Sequence, residues 1–185
     1  MTAHQRRCTE AVLEKTPDAA IVANLGSAAW TLAEIEDRDR NFYLAGAMGG
    51  TTPIGLGIAM GVDDQVTVLD GDGSMLMSLG ALATVSTVDP SNLVIVVWEN
   101  AVYETTGGQE LLTATNFVGV ARENGLEAER VDTLEDFEAA YANAVDHDGA
   151  AVVVAEVDPY TPDEKNIDYA HSHVKHRFRQ SLVGD

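Results

Sequence analysis

The chain has 185 residues, 45% of them hydrophobic, and its 30 acidic and 11 basic side chains give a formal net charge of −19. This composition suits one folded domain and excludes nucleic acid and anionic membranes as broad-surface partners. The sequence has no apolar run near the ~20 residues of a membrane span and no secretory signal, so we expect a cytoplasmic protein. Its one cysteine, Cys8, cannot form an internal disulfide.

Short apolar runs alternate with segments of helical period along the whole chain. The predicted strands are 20–25, 42–45, 66–70, 92–98 and 150–157. The predicted helices are 5–15, 27–36, 53–61, 74–88, 115–124, 134–145 and 163–182. Strands that are apolar on both faces and alternate with helices favour a parallel sheet covered on both sides. We predict one doubly wound α/β domain over 1–185, with a core at about 19–158 and a helical extension over 159–185.

The predicted strand 66–70 runs into a glycine-rich turn, Gly71-Asp72-Gly73-Ser74, and a predicted helix follows at once. In open α/β sheets, ligands bind outside the carboxyl ends of the strands. Glycines let the backbone approach a ligand closely, and a helix N-terminus suits a phosphate. A carboxylate beside a phosphate indicates a divalent cation between them, most simply Mg²⁺. Many such turns, however, carry glycine and aspartate for conformational reasons alone.

A second polar side chain, Asn100, follows the next predicted strand, one helix and one strand after Asp72. If the two strands are neighbours, a right-handed βαβ unit places both residues at one sheet edge, with backbones roughly 5 Å apart. A carboxylate oxygen, an amide oxygen and a backbone carbonyl beyond Asn100 would then share one octahedral Mg²⁺ with phosphate and water oxygens. The pairing therefore favours a metal and phosphate site over a purely structural turn.

The motif Gly-Asp-Gly-Ser, followed by an asparagine at the end of an apolar strand, resembles the fingerprint of thiamine diphosphate-dependent enzymes. The stretch 71–109 ends in Glu-Asn-Ala-Val-Tyr-Glu-Thr-Thr-Gly-Gly-Gln and is similar to the sulfopyruvate and phosphonopyruvate decarboxylases. The resemblance covers about 19–158, the pyrophosphate-binding domain. It implies that the Asp72 and Asn100 side chains and the Val102 carbonyl bind Mg²⁺. It also implies cofactor contacts at Gly71, Gly73, Ser74 and Tyr103. The commonest pattern has two consecutive asparagines, and here the first is Glu99, an extra carboxylate near the diphosphate.

Two further turns carry candidate cofactor contacts. By the resemblance, the Gly46 carbonyl accepts a hydrogen bond from the cofactor's 4′-amino group, and Met48 holds the aminopyrimidine near the thiazolium. From composition alone, the same loop is a tight turn with Met48 as core filler. Gly26 and Ser27, after the first strand, are candidates for contact with diphosphate or substrate, or form a simple helix cap.

Other polar clusters carry weaker signals. Tyr103 and the loop after it, with Thr105 and Thr106, either shape the pocket or face solvent. An H-x-H-x-x-H pattern lies on the polar, basic C-terminal helix without any cysteine, which favours a solvated face or a subunit contact over a zinc site. Its histidines are His171, His173 and His176. No G-x-S-x-G motif is present, so a serine hydrolase triad is not predicted.

The resemblance implies the β subunit of a thiamine diphosphate- and Mg²⁺-dependent decarboxylase. Its small 2-keto acid substrate would be 3-sulfopyruvate, converted to sulfoacetaldehyde and CO₂, a step of coenzyme M biosynthesis. In this family, the glutamate that activates the cofactor belongs to a pyrimidine-binding domain, for which 185 residues leave no room. We therefore expect no catalytic residue in this chain, and a separate α subunit in a hetero-oligomer. The alternatives are a decarboxylase of another 3-substituted pyruvate, such as phosphonopyruvate, and a non-catalytic phosphate- or nucleotide-binding module with a flavodoxin-like sheet.

The distribution of charge suggests an adaptation to salt. Acidic residues are spread from Glu10 to Asp185, and the only lysines are Lys15, Lys165 and Lys175. A scattered acidic, lysine-poor surface stays hydrated where salt screens charge repulsion. We expect a halophilic protein, with an acidic protein from a non-halophile as the alternative.

Overall fold

The computed structural model describes residues 3–163, 167 and 170–184, and these contain eight strands. The strands are β1 (Ala20–Ala23), β2 (Asn41–Tyr43), β3 (Val66–Gly71), β4 (Leu93–Glu99), β5 (Val102–Tyr103), β6 (Gln109–Glu110), β7 (Glu127–Val131) and β8 (Ala151–Glu156). Six of them form a parallel sheet in the order β2-β1-β3-β4-β8-β7, and β5 and β6 form a separate antiparallel pair.

Helices cover both faces of the sheet. They are α1 (Gln5–Lys15), α2 (Ser27–Ile35), α3 (Thr51–Ala59), α4 (Asp72–Met77), α5 (Ala81–Val88), α6 (Phe117–Glu123), α7 (Leu134–Asp146) and α8 (His171–Val183). Buried side chains of α1, α2 and α7 pack on one face, and those of α3, α5 and α6 pack on the other. The predicted doubly wound α/β fold is confirmed.

The central strands explain why the sheet is buried on both sides. In β4, Val94, Val96 and Trp98 join the core on one face, whereas Ile95 and Val97 join the core on the other. Successive side chains of a strand point to opposite faces, so a continuous apolar run fits a strand between two helix layers. The polar side chains that follow these strands therefore collect at the carboxyl edge.

The structure corrects two of the predicted elements and adds strands that were not predicted, namely β5, β6 and β7. The helix predicted over 74–88 is two helices, α4 and α5, because the chain makes a tight turn at Ser78. In this turn the Ser78 N–H donates a hydrogen bond to the Met75 carbonyl, and the Ala81 N–H donates one to the Ser78 carbonyl. The edge strand β7 was not predicted, because three of its five residues are exposed and charged, which leaves only a weak apolar signal. The trailing helix predicted from residue 163 begins at His171, and part of the predicted range (164–166 and 168–169) lies outside the described residues.

Both terminal helices pack against the sheet. Cys8 of α1 is fully buried in the core, which therefore extends N-terminally of residue 19, and burial raises the pKa of the Cys8 thiol to about 12. Helix α8 packs on the edge strand β2, where the rings of Phe178 and Phe42 lie 5.4 Å apart. Within the described part of the chain, the helices are too short or too polar to cross a membrane.

Candidate functional site

A crevice opens where the direction of strand order reverses. The chain leaves β1 towards β2 on one side and later returns to form β3 on the other, and such switch points are where open α/β sheets bind ligands. The crevice is lined by most of the residues that the sequence predicted as cofactor contacts. These are Ser27, Met48, Gly71, Asp72, Gly73, Ser74, Asn100, Val102 and Tyr103.

Asp72 lies at the centre of the carboxyl edge, with 3% of its surface exposed. Strands β3 and β4 are adjacent, and the Asp72 carboxylate accepts hydrogen bonds from the backbone N–H groups of Gly73 (2.7 Å), Asn100 (3.1 Å) and Ala101 (2.7 Å). Burial raises the pKa of the Asp72 carboxyl above its ordinary value, and these three hydrogen bonds oppose the rise because they favour the ionised form. The expected meeting of Asp72 with the end of the next strand is confirmed.

The turn after β4 brings Asn100 and Val102 together. Ala101 has φ +60°, a left-handed conformation that is uncommon for a residue other than glycine. The Asn100 side-chain oxygen accepts a hydrogen bond from the Val102 N–H at 3.0 Å. A buried carboxylate, an amide oxygen and a neighbouring backbone carbonyl are hard oxygen ligands of the kind that Mg²⁺ takes. This donor set would therefore fit a magnesium ion.

The glycine-rich turn has no room for a side chain at Gly73. A Cβ at Gly73 would lie 2.5 Å from Cε1 of Tyr103, so the tyrosine ring packs directly on the turn. The Ser74 hydroxyl accepts a hydrogen bond from the Gly49 N–H at 2.9 Å. This contact ties the loop that carries Met48 to the turn that carries Asp72.

Two predicted contacts do not line the crevice itself. Gly26 has φ +83°, and a Cβ there would lie 2.4 Å from Cγ2 of Thr105, so this glycine packs under the loop after β5. Gly46 has φ +73° and is exposed, with no atom within 4 Å of a Cβ built there. The roles of both residues in cofactor binding stay predictions.

Two carboxylates near the crevice were not singled out individually from the sequence, although Glu104 begins the loop that was predicted either to shape the pocket or to face solvent. Asp70 is fully buried and accepts hydrogen bonds from the Thr52 hydroxyl (3.1 Å) and the Gly71 N–H (3.0 Å), and burial raises its pKa to about 6. Its signal in the sequence is a carboxylate that ends an apolar strand. Glu104 lines the crevice and accepts a hydrogen bond from the Tyr160 N–H at 2.5 Å, which ties the loop after β5 to the segment after β8.

Glu99, which stands where the commonest family pattern has asparagine, forms an ion pair with Arg130 of β7. Burial raises the pKa of the Glu99 carboxyl, and Arg130 opposes the rise. Arg130 also pairs with Glu156 of β8 at 2.7 Å. Neither Arg130 nor Glu156 was singled out from the sequence, because their contact depends on the unpredicted strand β7.

The C-terminal histidines lie apart from the crevice. His171, His173 and His176 are exposed on α8. The described residues include no group of three His, Cys, Asp or Glu side chains placed to hold a metal ion. The proposed magnesium ligands differ from such a group because only one of them, Asp72, is a carboxylate.

Comparison with known proteins decides the family. Residues 23–155 match the family described as "Thiamine pyrophosphate enzyme, C-terminal TPP binding domain". The chain belongs to the thiamine diphosphate-dependent enzymes. Membership in this enzyme family confirms the resemblance and disfavours the alternative of a non-catalytic phosphate- or nucleotide-binding module.

Two curated relatives carry the two decarboxylase names that matter for the substrate. Sulfopyruvate decarboxylase subunit beta of Methanocaldococcus jannaschii is 38% identical over 164 residues, which cover 88% of this chain and 87% of that protein. Phosphonopyruvate decarboxylase of Streptomyces viridochromogenes is 42% identical over 153 residues, which cover 81% of this chain and 38% of that protein.

A solved structure agrees with the fold. The thiamine diphosphate-dependent 4-hydroxybenzoylformate decarboxylase of Rhodococcus jostii RHA1 superposes with a TM-score of 0.77 at 21% identity. The match covers 89% of this chain and 34% of that one, so this chain spans about a third of the length of that enzyme. At this identity the likeness shows the shared fold alone.

Proposed function

We propose that this chain is the β subunit of a thiamine diphosphate- and Mg²⁺-dependent decarboxylase that acts on 3-sulfopyruvate, as in coenzyme M biosynthesis. The products would be sulfoacetaldehyde and CO₂. The observation that carries the cofactor assignment is the buried Asp72 carboxylate, which meets the Asn100 turn at the switch point of a thiamine diphosphate-binding fold. The substrate assignment rests on the sulfopyruvate decarboxylase subunit beta, of which the chain covers 87%.

In the proposed site, the side chains of Asp72 and Asn100 and the Val102 carbonyl hold Mg²⁺. Thiamine diphosphate supplies, when bound, a nucleophilic carbon for the keto group and an electron sink for the departing CO₂. Gly71, Gly73 and Ser74 contact the diphosphate, and Gly26 and Ser27 contact the diphosphate or the substrate. The Tyr103 side chain forms part of the crevice wall.

The other end of the proposed site lies at the loop after β2. The Gly46 carbonyl accepts a hydrogen bond from the cofactor's amino group, and Met48 fixes the aminopyrimidine by filling the space beneath it. Each carboxylate that we find around the crevice has partners in this chain: Asp70 and Asp72 accept backbone N–H groups, Glu104 accepts that of Tyr160, and Glu99 pairs with Arg130. We propose that the glutamate that activates the cofactor comes from a separate α subunit, in a hetero-oligomer.

A specific observation also favours phosphonopyruvate as a second candidate substrate. The phosphonopyruvate decarboxylase of S. viridochromogenes is 42% identical, which is comparable to the identity with the sulfopyruvate decarboxylases, although the match covers a smaller share of that protein. Sulfonate and phosphonate differ in charge at neutral pH, so an assay with both compounds separates the candidates.

The test uses the full chain copurified with the subunit that it binds in its native cells. Binding of thiamine diphosphate, measured by calorimetry, is expected to require Mg²⁺ and to weaken at least about 100-fold in Asp72→Asn, since losing a first ligand exceeds the cost of losing an outer partner. Metal-independent binding that survives the substitution would refute the site.

Activity is then assayed with sulfopyruvate, phosphonopyruvate and pyruvate. We expect turnover of sulfopyruvate by the copurified complex and none by the chain alone. Robust decarboxylation by the isolated chain would contradict the proposed α subunit, and a preference for phosphonopyruvate would select the second candidate.

We also propose that the protein is adapted to high salt, on the basis of its charge of −19 and its three lysines. Salt screens the repulsion among surface carboxylates, so the melting temperature should rise steadily as KCl is raised from dilute to molar concentration. Loss of secondary structure on adding salt would overturn this part of the proposal.

A further inference from the structure

An ion-pair network lies directly beside the proposed magnesium ligands, at the carboxyl ends of β4, β8 and β7. Glu99 ends β4 and pairs in register with Glu156 at the end of β8. Two like charges directly opposite each other on neighbouring strands destabilise a sheet. The network therefore needs a cation between these carboxylates.

Arg130 supplies that cation from the edge strand β7, on the far side of β8. One of its terminal nitrogens pairs with Glu99 and the other lies 2.7 Å from Glu156. The Glu99 side chain is only 16% exposed, whereas those of Arg130 and Glu156 are about half exposed. A largely buried carboxylate of this kind is costly without a partner, so Arg130 is the group that fixes where Glu99 points.

The position of Glu99 matters because it is adjacent to Asn100. The next two backbone N–H groups, those of Asn100 and Ala101, hold the Asp72 carboxylate. Magnesium demands near-ideal octahedral geometry and is usually held by one or two carboxylates together with phosphate oxygens. A Glu99 carboxylate released from Arg130 would take a position on the ion that the diphosphate needs, and would repel a diphosphate at the same edge.

We propose that Arg130 is a positioning residue for the metal and diphosphate site: it holds the Glu99 carboxylate towards β7 and so leaves the edge beside Asp72 and Asn100 open to the diphosphate. The proposal rests on the proposed function. It also assigns a role to the glutamate that replaces the commoner asparagine, since the acidic side chain is tolerated beside the diphosphate only with its arginine in place.

The experiment measures thiamine diphosphate affinity by calorimetry, at saturating Mg²⁺, on the full chain copurified with its partner. Arg130→Gln should weaken thiamine diphosphate binding about 10-fold, the equivalent of about 1.4 kcal/mol, because the freed Glu99 carboxylate then repels the diphosphate. Arg130→Lys should retain most of the affinity because the charge remains. Arg7→Gln, which removes an exposed ion pair with Glu10 on α1, is the matched control and should leave the affinity unchanged.

Two further variants separate positioning from mere stabilisation. Glu99→Gln removes the charge that repels the diphosphate, so the double variant Glu99→Gln/Arg130→Gln should recover thiamine diphosphate affinity to within about threefold of wild type. A network that only stabilises the fold would lower the melting temperature in Arg130→Gln without changing the affinity, and that result would overturn the proposal.

The remaining outcomes are also decisive. Loss of Mg²⁺-dependent thiamine diphosphate binding in Glu99→Gln alone would make Glu99 a ligand and overturn the proposal. A double variant as weak as Arg130→Gln would do the same. If the wild-type complex binds thiamine diphosphate without any need for Mg²⁺, the proposed function itself fails. If the wild-type complex needs Mg²⁺ but Arg130→Gln binds as tightly as wild type, only the role proposed for Arg130 fails.

Discussion

The two ends of the crevice differ in how much of their structure this chain supplies. At the end formed by β3 and β4, Asp72 is almost fully buried and both of its carboxylate oxygens accept backbone hydrogen bonds. At the end formed by the loop after β2, Gly46 and Ala47 are exposed and Met48 is partly exposed. One end is preorganised within the chain, whereas the other presents an open surface.

This difference suggests a division of labour in the proposed enzyme. A buried, hydrogen-bonded turn holds metal ligands in place without help, because moving any of them breaks several contacts at once. An exposed loop obtains its final surroundings only when something covers it. We infer that this chain alone builds the metal and diphosphate end, and that the proposed α subunit completes the aminopyrimidine end. The hydrogen bond from Gly49 to Ser74 links the two ends.

Gly73→Ala should produce the larger effect, because it changes the preorganised end. The added methyl group would lie 2.5 Å from the Tyr103 ring, and overpacking of this kind costs about 1–3 kcal/mol in the free energy of unfolding. The better helix propensity of alanine offsets about 1 kcal/mol of that cost. Binding of Mg²⁺ with inorganic diphosphate, measured by calorimetry, should weaken at least about 10-fold, the equivalent of about 1.4 kcal/mol.

Gly57→Ala is the matched control for this prediction. Gly57 lies in α3, and a Cβ there meets no atom within 4 Å. Alanine should therefore stabilise the chain by about 0.4–1 kcal/mol and leave diphosphate binding unchanged. If Gly73→Ala binds Mg²⁺ and diphosphate as tightly as Gly57→Ala, the end at β3 and β4 adapts readily and the contrast between the two ends is wrong.

The same contrast explains how far the sequence alone could predict the molecule. The apolar strands β3 and β4 are each long enough to be recognised, and the turns that follow them carry the Asp72 and Asn100 pair. Their meeting at one edge follows from the handedness of a βαβ unit, so this part of the site could be predicted. Local pattern and one topological rule were sufficient there.

Features that depend on distant partners could not be predicted in this way. Strand β7 is a half-exposed edge strand with the sequence Glu-Ala-Glu-Arg-Val, so its apolar signal is weak. The direction of Glu99 depends on Arg130, which that strand carries. The break between α4 and α5 is set by a turn at Ser78 within a segment whose apolar period continues through it. The strand β7 and the direction of Glu99 depend on contacts between distant residues, whereas the break at Ser78 is local and is hidden by the continuing apolar period.

Met48→Ala should have the smaller effect on the chain itself and thereby sharpen the comparison. Met48 is partly exposed at the open end, so its truncation should change the free energy of unfolding by less than about 0.5 kcal/mol. Binding of Mg²⁺ with inorganic diphosphate should stay within about twofold of wild type, because the ligands at β3 and β4 are untouched. Binding of thiamine diphosphate by the copurified complex should weaken about 5- to 30-fold, since the lost packing is worth about 1–2 kcal/mol.

Met60→Ala, a methionine with 64% exposure near the end of α3, is the control for a methionine outside the crevice, and it should leave both kinds of binding unchanged. The ratio of the two affinities tests the comparison, because in the proposed site inorganic diphosphate would occupy only the end at β3 and β4, whereas thiamine diphosphate would span both ends. If Met48→Ala weakened the binding of inorganic diphosphate as much as that of thiamine diphosphate, the loop and the Asp72 turn would act as one unit through the contact between Gly49 and Ser74.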